Sequence, residues 1–173
     1  MVNTFLPYAD FVKSAKALDN KRLGKQRVEA WQILSALRGQ TKGWTNHPAT
    51  NMWRGYEKLL CEYGIAICDE WIKRGYKDTM SERFIAVHGM FPDCGVPEWL
   101  GVEAFHISHQ SNLKRKNPDH YAFNVKDDIA YKWFDGYIDM PLGKAIRWRL
   151  SKGVYSFTYI DKVKIHEDQS EAV

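Results

Sequence analysis

The chain has 173 residues, a hydrophobic content of 45%, an aromatic content of 14% and a formal net charge of +4 at pH 7. This length and composition suit one folded domain with its own core, and they exclude an intrinsically disordered chain. A mildly basic chain is compatible with an anionic partner without identifying one. No run of residues is long and apolar enough to cross a bilayer, so no membrane partner is expected.

Apolar periodicity and capping residues predict a mainly helical fold. Gly64 interrupts the longest periodic segment and is expected to mark a bend in its helix. A polar loop over 39–48 precedes that segment. Helices are predicted over 10–18, 21–37, 51–74, 81–88 and 102–116.

The pattern changes beyond Tyr121. Residues 145–160 alternate between apolar and polar around Ser151-Lys-Gly153, which predicts a small β-hairpin. Residues 166–173 form a polar, acidic tail that we expect to fray. The sequence therefore predicts one compact domain, with a helical core over 1–121 and a C-terminal extension over 122–173 packed on it.

The use of cysteine favours a reducing compartment. Cys61, Cys68 and Cys94 are odd in number and form no CxxC pair. On a helix, Cys61 and Cys68 would lie about 10.5 Å apart along the axis, whereas a disulfide spans about 7 Å between Cα atoms. The chain start also lacks the basic and apolar regions of a signal peptide. The expected location is therefore the cytoplasm.

Glu29 lies among cations on the second predicted helix. At 100° per residue, Arg22, Lys25 and Glu29 share one face with Gln26, opposite a core face that carries Leu23, Ala30, Leu34 and Leu37. A carboxylate beside a bound polyanion repels its phosphates. Because this repulsion is unfavourable for binding, it suggests that the acid has a chemical role. The alternative is an exposed Lys25–Glu29 ion pair worth about 0.2–0.5 kcal/mol. Charge alone leaves both interpretations open.

Two groups of cations are candidates for phosphate contacts, which add affinity without sequence preference. The first group lies around Glu29, and the second closes the last predicted helix. Their members are Arg22, Lys25, Arg27, Lys114, Arg115 and Lys116.

Polar residues near these cations could contact a nucleotide. Trp44 precedes Asn46 and His47, and such a loop can stack on a base and hydrogen-bond its edge. His109 and Asn112, beside the second basic cluster, suit contacts to a DNA backbone or to an extruded nucleotide.

A metal site is a weaker interpretation of the histidines. His106 and His109 are spaced i,i+3 and could bind a transition metal together with His120. No further ligand of suitable type has the right spacing, so no metal is expected. The motifs GxGxxG, GxxxxGK[ST], HExxH and GxSxG do not occur.

Blocks of sequence up to about Tyr121 carry a family resemblance. They include Asn3-Thr-Phe-Leu-Pro-Tyr8, residues 18–34, Gly43-Trp-Thr-Asn-His-Pro48, Met52-Trp-Arg-Gly-Tyr56, residues 71–76 and residues 105–121. In this order they resemble the pyrimidine-dimer DNA glycosylase/AP lyase family of the phage endonuclease V type, and look closer to a bacterial branch of it. The resemblance implies a compact helical fold of that type.

The resemblance also implies catalytic residues. The family's catalytic glutamate follows a leucine by six positions on the first long helix, as Glu29 follows Leu23. The family's nucleophile is an N-terminal α-amine, so Val2 is the matching residue once Met1 is removed, and Met1 if it is retained. The implied partner is double-stranded DNA that contains a lesion, bound by a monomer without a cofactor or metal.

The chain departs from the family pattern in places. Val28 stands where the phage enzyme has an arginine before its glutamate, and Arg27 lies one position earlier. Residues from about Ala122 onward match no family block. The alternatives are therefore a glycosylase for another damaged or modified base, a non-catalytic DNA-binding module of the same fold, and a nuclease that uses the histidines to bind a metal.

Overall fold

The computed structural model describes residues 2–131 with their side chains, and the backbone of three strands in the remainder of the chain. The described residues confirm the mainly helical fold. The elements are α1 (Phe11–Ala17), α2 (Asn20–Leu37), α3 (Pro48–Trp53), α4 (Glu57–Lys73), α5 (Ser81–His88), α6 (Glu103–Lys116), β1 (Tyr137–Asp139), β2 (Lys144–Ser151) and β3 (Val154–Asp161).

Helices α1 and α2 begin at capping aspartates. The side chain of Asp10 accepts from the backbone N–H of Lys13, and that of Asp19 accepts from the N–H of Arg22. Such caps satisfy donors that the first helical turn leaves without partners. Of the predicted apolar face of α2, Leu23, Ala30 and Leu34 are inaccessible to solvent and Leu37 is half-buried. Ile33, which was not predicted, is also inaccessible.

The single helix predicted over 51–74 is wrong, because two helices occupy this segment. Helix α3 begins earlier, with Pro48 in its first turn, and ends before Arg54. Gly55 then adopts a φ of +86°, a left-handed conformation that favours glycine and ends the helix. The chain turns there and α4 begins at Glu57.

Gly64 lies inside α4, which continues through this position without interruption; a bend there stays a prediction. A Cβ atom at this position would lie 2.5 Å from the ring of Phe84 on α5. The glycine therefore allows α5 to approach α4 closely, which is a requirement of packing between helices that the local sequence does not reveal.

Residues 2–7 run through the core in an extended conformation. Val2, Thr4 and Leu6 are each at most 1% exposed. The indole N–H of Trp53 donates to the hydroxyl of Thr4 at 3.0 Å, and Trp53 packs against Trp99 with ring centroids 4.9 Å apart. The first residues of the chain are thus fixed by the helices around them.

The segment after α6 returns along that helix. Lys114 donates to the carbonyl oxygens of Phe123 and Val125, and the backbone N–H of Ile129 donates to the hydroxyl of Ser111. Contacts divide the chain into two compact units, Met1–Trp133 and Phe134–Val173. Packing of a C-terminal extension on the helical core stays a prediction.

The second unit contains an antiparallel sheet in the order β1-β2-β3. Strands β2 and β3 occupy the segment predicted as a hairpin, and their last pair is Ser151 with Val154. Strand β1 was not predicted. The hairpin turn at 152–153 and the tail over 166–173 lie outside the described residues. Among the described helices, none combines the length and apolarity that crossing a bilayer requires.

Candidate active site

Glu29 is a buried acid, not the exposed member of a surface ion pair. The residue is only 4% exposed, although it lies on the face of α2 that carries Arg22 and Lys25. Its carboxylate accepts from the side-chain amide of Gln26 at 2.7 Å and from the backbone N–H of Asn3. The ammonium of Lys25 lies 3.2 Å from the other carboxylate oxygen.

Burial dominates the ionisation of Glu29 and raises the pKa of its carboxyl above the ordinary value. The hydrogen bond and positive charge of Lys25, the charge of the N-terminal amine and the N–H of Asn3 lower the pKa and offset part of this rise. Nearby cations favour the ionised form of Glu29. In the folded protein their effect is smaller than that of burial.

Gln26 fixes the position of the acid. Its amide oxygen accepts from the N–H of Phe5 at 2.9 Å and lies 2.6 Å from the hydroxyl of Tyr63. Because both partners approach the oxygen, the amide nitrogen must face Glu29. This buried chain of hydrogen bonds joins α4, α2 and the N-terminal segment.

The backbone nitrogen of Val2 lies near the acid. The N–H of Asn3 donates to the Glu29 carboxylate, and successive backbone nitrogens are less than about 4 Å apart. With a hydrogen bond of about 3 Å, the nitrogen of Val2 lies within about 7 Å of a carboxylate oxygen. The side chain of Val2 is 1% exposed, which anchors this residue.

A pocket of ≈ 410 Å³ opens over Glu29. Cations form much of its wall, and Glu29 is the acid among the residues that line it. The lining residues are Asn3, Phe5, Lys21, Arg22, Lys25, Glu29, Asn112, Lys116 and Tyr131. Five predicted site residues therefore meet here, although they come from α2 and α6, which are distant in sequence.

Arg22 has structural contacts besides lining the pocket. Its guanidinium pairs with Asp19 and donates to the carbonyl oxygen of Lys116 at 3.3 Å. Burial would raise the pKa of Asp19, but the hydrogen bonds and charge of Arg22 lower it below the ordinary value. The two residues together join the start of α2 to the end of α6.

Arg27 points away from the pocket. It forms an ion pair with Asp78, whose side chain is 1% exposed, and its guanidinium lies 4.4 Å from the ring centre of Trp71. Two positions beyond Lys25, Arg27 is rotated by about 200° around the helix. A DNA contact by Arg27 stays a prediction.

Two of the three cations at the end of α6 hold the following segment of chain. Lys114 donates to two carbonyl oxygens of this segment, and Arg115 donates to the carbonyl oxygen of Ile129 at 2.8 Å. Lys116, in contrast, is exposed and lines the pocket.

The loop before α3 does not line the pocket. His47 caps α3 by accepting from the N–H of Ala49 at 3.2 Å. Trp44 is 42% exposed, adopts a φ of +65° and lies edge-on to the His47 ring at 5.4 Å. Asn46 is exposed and accepts from the side chain of Asn51 through its carbonyl oxygen. Contacts of this loop with DNA stay predictions.

The histidines contact the backbone. His106 and His109 bond to Leu6, and the ring of His120 lies 3.2 Å from the carbonyl oxygen of Ala17. Over the part of the chain that the structure describes, no group of three His, Cys, Asp or Glu side chains is arranged to hold a metal ion.

Sequence reasoning missed four residues that line the pocket. Lys21 precedes Lys25 by four positions, so helical spacing could have identified it. Phe5 and Asn3 are in an extended segment without periodicity, and Tyr131 is 102 positions beyond Glu29. No local pattern relates these residues to α2.

A buried acid under a cationic pocket is an arrangement that suits the binding of a polyanion such as DNA. Residues 2–83 match the family model described as pyrimidine dimer DNA glycosylase. The N-terminal part of the chain is therefore similar to the pyrimidine dimer DNA glycosylase family, whose function is DNA repair. Searches of curated proteins and of solved structures gave no significant match.

Proposed function

We propose that this protein is a DNA glycosylase with AP lyase activity that excises pyrimidine dimers through Schiff-base chemistry. The N-terminal amine, on Val2 after removal of Met1, is the nucleophile, and Glu29 is the acid–base residue. The observation that carries the proposal is that Asn3, which follows Val2, lines the same cationic pocket as the buried Glu29, because this brings the chain start to the acid.

An α-amine suits this role better than a lysine. The reference pKa is about 7.7–8.0 for an α-amine and about 10.4 for lysine. At pH 7.5, roughly a third of an ordinary α-amine is therefore neutral, but only about 0.1% of an ordinary lysine side chain. Lys25, whose ammonium lies 3.2 Å from Glu29, is the competing amine. Its side chain is 67% exposed and is paired with the Glu29 carboxylate.

The reaction forms and breaks bonds in sequence. The neutral amine attacks C1′ of the damaged nucleotide, the bond from C1′ to the base breaks, and the base leaves with a proton. Loss of the amine proton and opening of the sugar give a Schiff base. Glu29 then removes a proton from C2′, and the 3′ C–O bond breaks with phosphate as the leaving group. Water finally releases the amine.

The environment of Glu29 supports two roles. In its ionised form the carboxylate stabilises the cationic sugar that develops as the base leaves. Burial raises the pKa of Glu29, which makes the carboxylate a stronger base for the C2′ proton. Gln26, Lys25 and Asn3 orient it with three donors.

The pocket supports a DNA substrate with an extruded nucleotide. Its volume of ≈ 410 Å³ lies in the range of about 300–1,000 Å³ that is usual for ligand sites. Lys21, Lys25 and Lys116 are exposed at its wall and can neutralise phosphates. A lesion weakens stacking and pairing, so the cost of extrusion is lower for a damaged nucleotide. We propose that a monomer binds such DNA.

Borohydride trapping tests the proposal. The protein is incubated with dimer-containing duplex and borohydride, beside an undamaged duplex as control, and covalent adducts are resolved by mass. We expect an adduct with the damaged duplex alone, and loss of strand cleavage in Glu29→Gln. Absence of an adduct together with unchanged cleavage by Glu29→Gln would refute the mechanism.

The same assay separates the alternatives. Activity confined to another damaged base in a lesion panel would indicate a different glycosylase. Salt-sensitive binding without an adduct would indicate a non-catalytic module. Cleavage abolished by a strong chelator would indicate a metal-dependent nuclease.

A further inference from the structure

Helix α6 holds the N-terminal segment through side chains on one face. The N–H of Leu6 donates to Nδ1 of His109 at 3.0 Å, and Nδ1 of His106 lies 2.8 Å from the carbonyl oxygen of Leu6. The side-chain amide of Gln110 donates to the carbonyl oxygen of Pro7 at 2.7 Å. Spacings of three and four residues place these side chains together on the helix.

The hydrogen bonds define the tautomers of both histidines. Nε2 of His106 accepts from the N–H of Gly101 at 2.9 Å, so its Nδ1 carries the proton and donates to Leu6. Nδ1 of His109 accepts from Leu6, so it carries no proton. The backbone N–H and the carbonyl oxygen of Leu6 are therefore each hydrogen-bonded to a neutral imidazole.

Tyr131 holds the same segment from the other side of the pocket. Its hydroxyl donates to the side-chain oxygen of Asn3 at 2.7 Å, and its ring centre lies 4.4 Å from that of His109. The backbone N–H of Asn3 in turn donates to Glu29. A continuous path of contacts thus connects α6 and Tyr131 to the residue that lies beside the amine and the acid.

Three side chains of this path lie outside the matched family segment. His106, His109 and Tyr131 all follow residue 83, where the match ends. His109 is completely buried and His106 is 7% exposed, so their ring nitrogens serve the protein interior. This burial favours a role in positioning over the DNA contact that the sequence suggested for His109.

We propose that His106, His109 and Tyr131 are positioning residues that set the place of the N-terminal amine relative to Glu29. The inference rests on the proposed function, since it assigns a role in the same reaction. The three residues act through Leu6 and Asn3, and His106 and His109 do not line the pocket. A misplacement of about 1 Å costs on the order of 10²-fold in rate, so loosening the segment slows the chemical step more than DNA binding.

The test compares variants that remove the hydrogen-bonding groups of this path. Tyr131→Phe removes the hydroxyl that donates to Asn3 and also lies 3.3 Å from Nδ1 of His109. His109→Leu removes the acceptor of the Leu6 N–H, and His109→Asn supplies an amide oxygen near the position of Nδ1 and is the rescue variant. Single-turnover trapping gives the rate of adduct formation, fluorescence anisotropy gives the Kd for dimer-containing duplex, and circular dichroism confirms folding.

For Tyr131→Phe and His109→Leu we expect trapping rates lower by about 10–100-fold, with Kd changed less than about threefold and substantial rescue in His109→Asn. A wild-type trapping rate in Tyr131→Phe would overturn the inference even if His109→Leu failed to fold. Weaker binding with an unchanged rate at saturating DNA would also overturn it, because the residues would then contact DNA.

A second measurement does not depend on activity. The N-terminal amine carries a ¹³C-methyl label, and its pKa is titrated by NMR with and without Glu29→Gln. The pKa difference reports the coupling between the amine and the acid, and we expect it to shrink in Tyr131→Phe. An unchanged difference would refute the positioning role. A wild-type protein that forms no adduct would instead refute the proposed function.

Discussion

Replacing Glu29 with glutamine should abolish activity without destabilising the protein. Three donors point at the carboxylate, from Gln26, Lys25 and Asn3. One amide oxygen has two lone pairs and can still accept from Gln26 and Asn3. Lys25 has a side chain that is 67% exposed, so it can turn to water at a loss of about 0.2–0.5 kcal/mol. Removal of a buried charge opposes this loss.

The stability of the Glu29→Gln variant should therefore remain within about 1 kcal/mol of the wild type, or about 2–4 °C in Tm for a chain of this size. The difference in stability between the variant and the wild type should depend on pH. Because the folded-state pKa of Glu29 is raised, its contribution to wild-type stability is full below the unfolded value near 4.5 and falls as the pH rises through the folded value. In thermal unfolding experiments from pH 4 to 8, the Tm of the variant should therefore rise relative to that of the wild type as the pH increases.

Strand cleavage of dimer-containing duplex by this variant should fall by about 10²–10⁴-fold, the usual contribution of a general base. Wild-type activity should rise with pH as Glu29 ionises and the amine becomes neutral. Glu62→Gln, which alters an exposed acid near His88, is the matched control and should retain activity. A Glu29→Gln variant that cleaves at the wild-type rate, or that unfolds many degrees lower, would refute the account of this site.

Two further variants test packing and the charged surface. Gly64→Ala should lower stability by about 1–3 kcal/mol through overpacking, because its Cβ would lie 2.5 Å from Phe84. As a control, a Cβ at Gly89 meets nothing within 4 Å, so Gly89→Ala should unfold at or above the wild-type Tm. Equal Tm values for the two variants would contradict this packing. Lys116→Ala should reduce the slope of log K against log salt by about 0.9 if the lysine contacts one phosphate, while Lys73→Ala, outside the pocket, should leave the slope unchanged.

Local signals predicted most helices. Capping aspartates and apolar periodicity gave α1 and α2 within a residue or so of their bounds. The break between α3 and α4 was missed because Gly55 stands in a segment whose apolar residues keep helical spacing on both sides. The close packing of Gly64 against α5 was not predicted, because it depends on Phe84, a residue of another helix.

The site was predictable where it lies on one helix. Arg22, Lys25 and Glu29 share a face of α2, and that spacing is visible in the sequence. The burial of Glu29 was not visible, because it results from the N-terminal segment lying over α2. Tyr131 and Asn3 are separated by 128 positions, so only the tertiary fold could bring them together.

The identity of the reacting amine distinguishes the N-terminal mechanism from one that uses a lysine. The intact mass of the purified protein shows whether Met1 is present, and peptide mapping of the borohydride-trapped adduct shows which residue carries the DNA. The account predicts a single adduct on the first residue of the processed chain, Val2 when Met1 has been removed. An adduct on Lys25, or none with dimer-containing DNA, would contradict it.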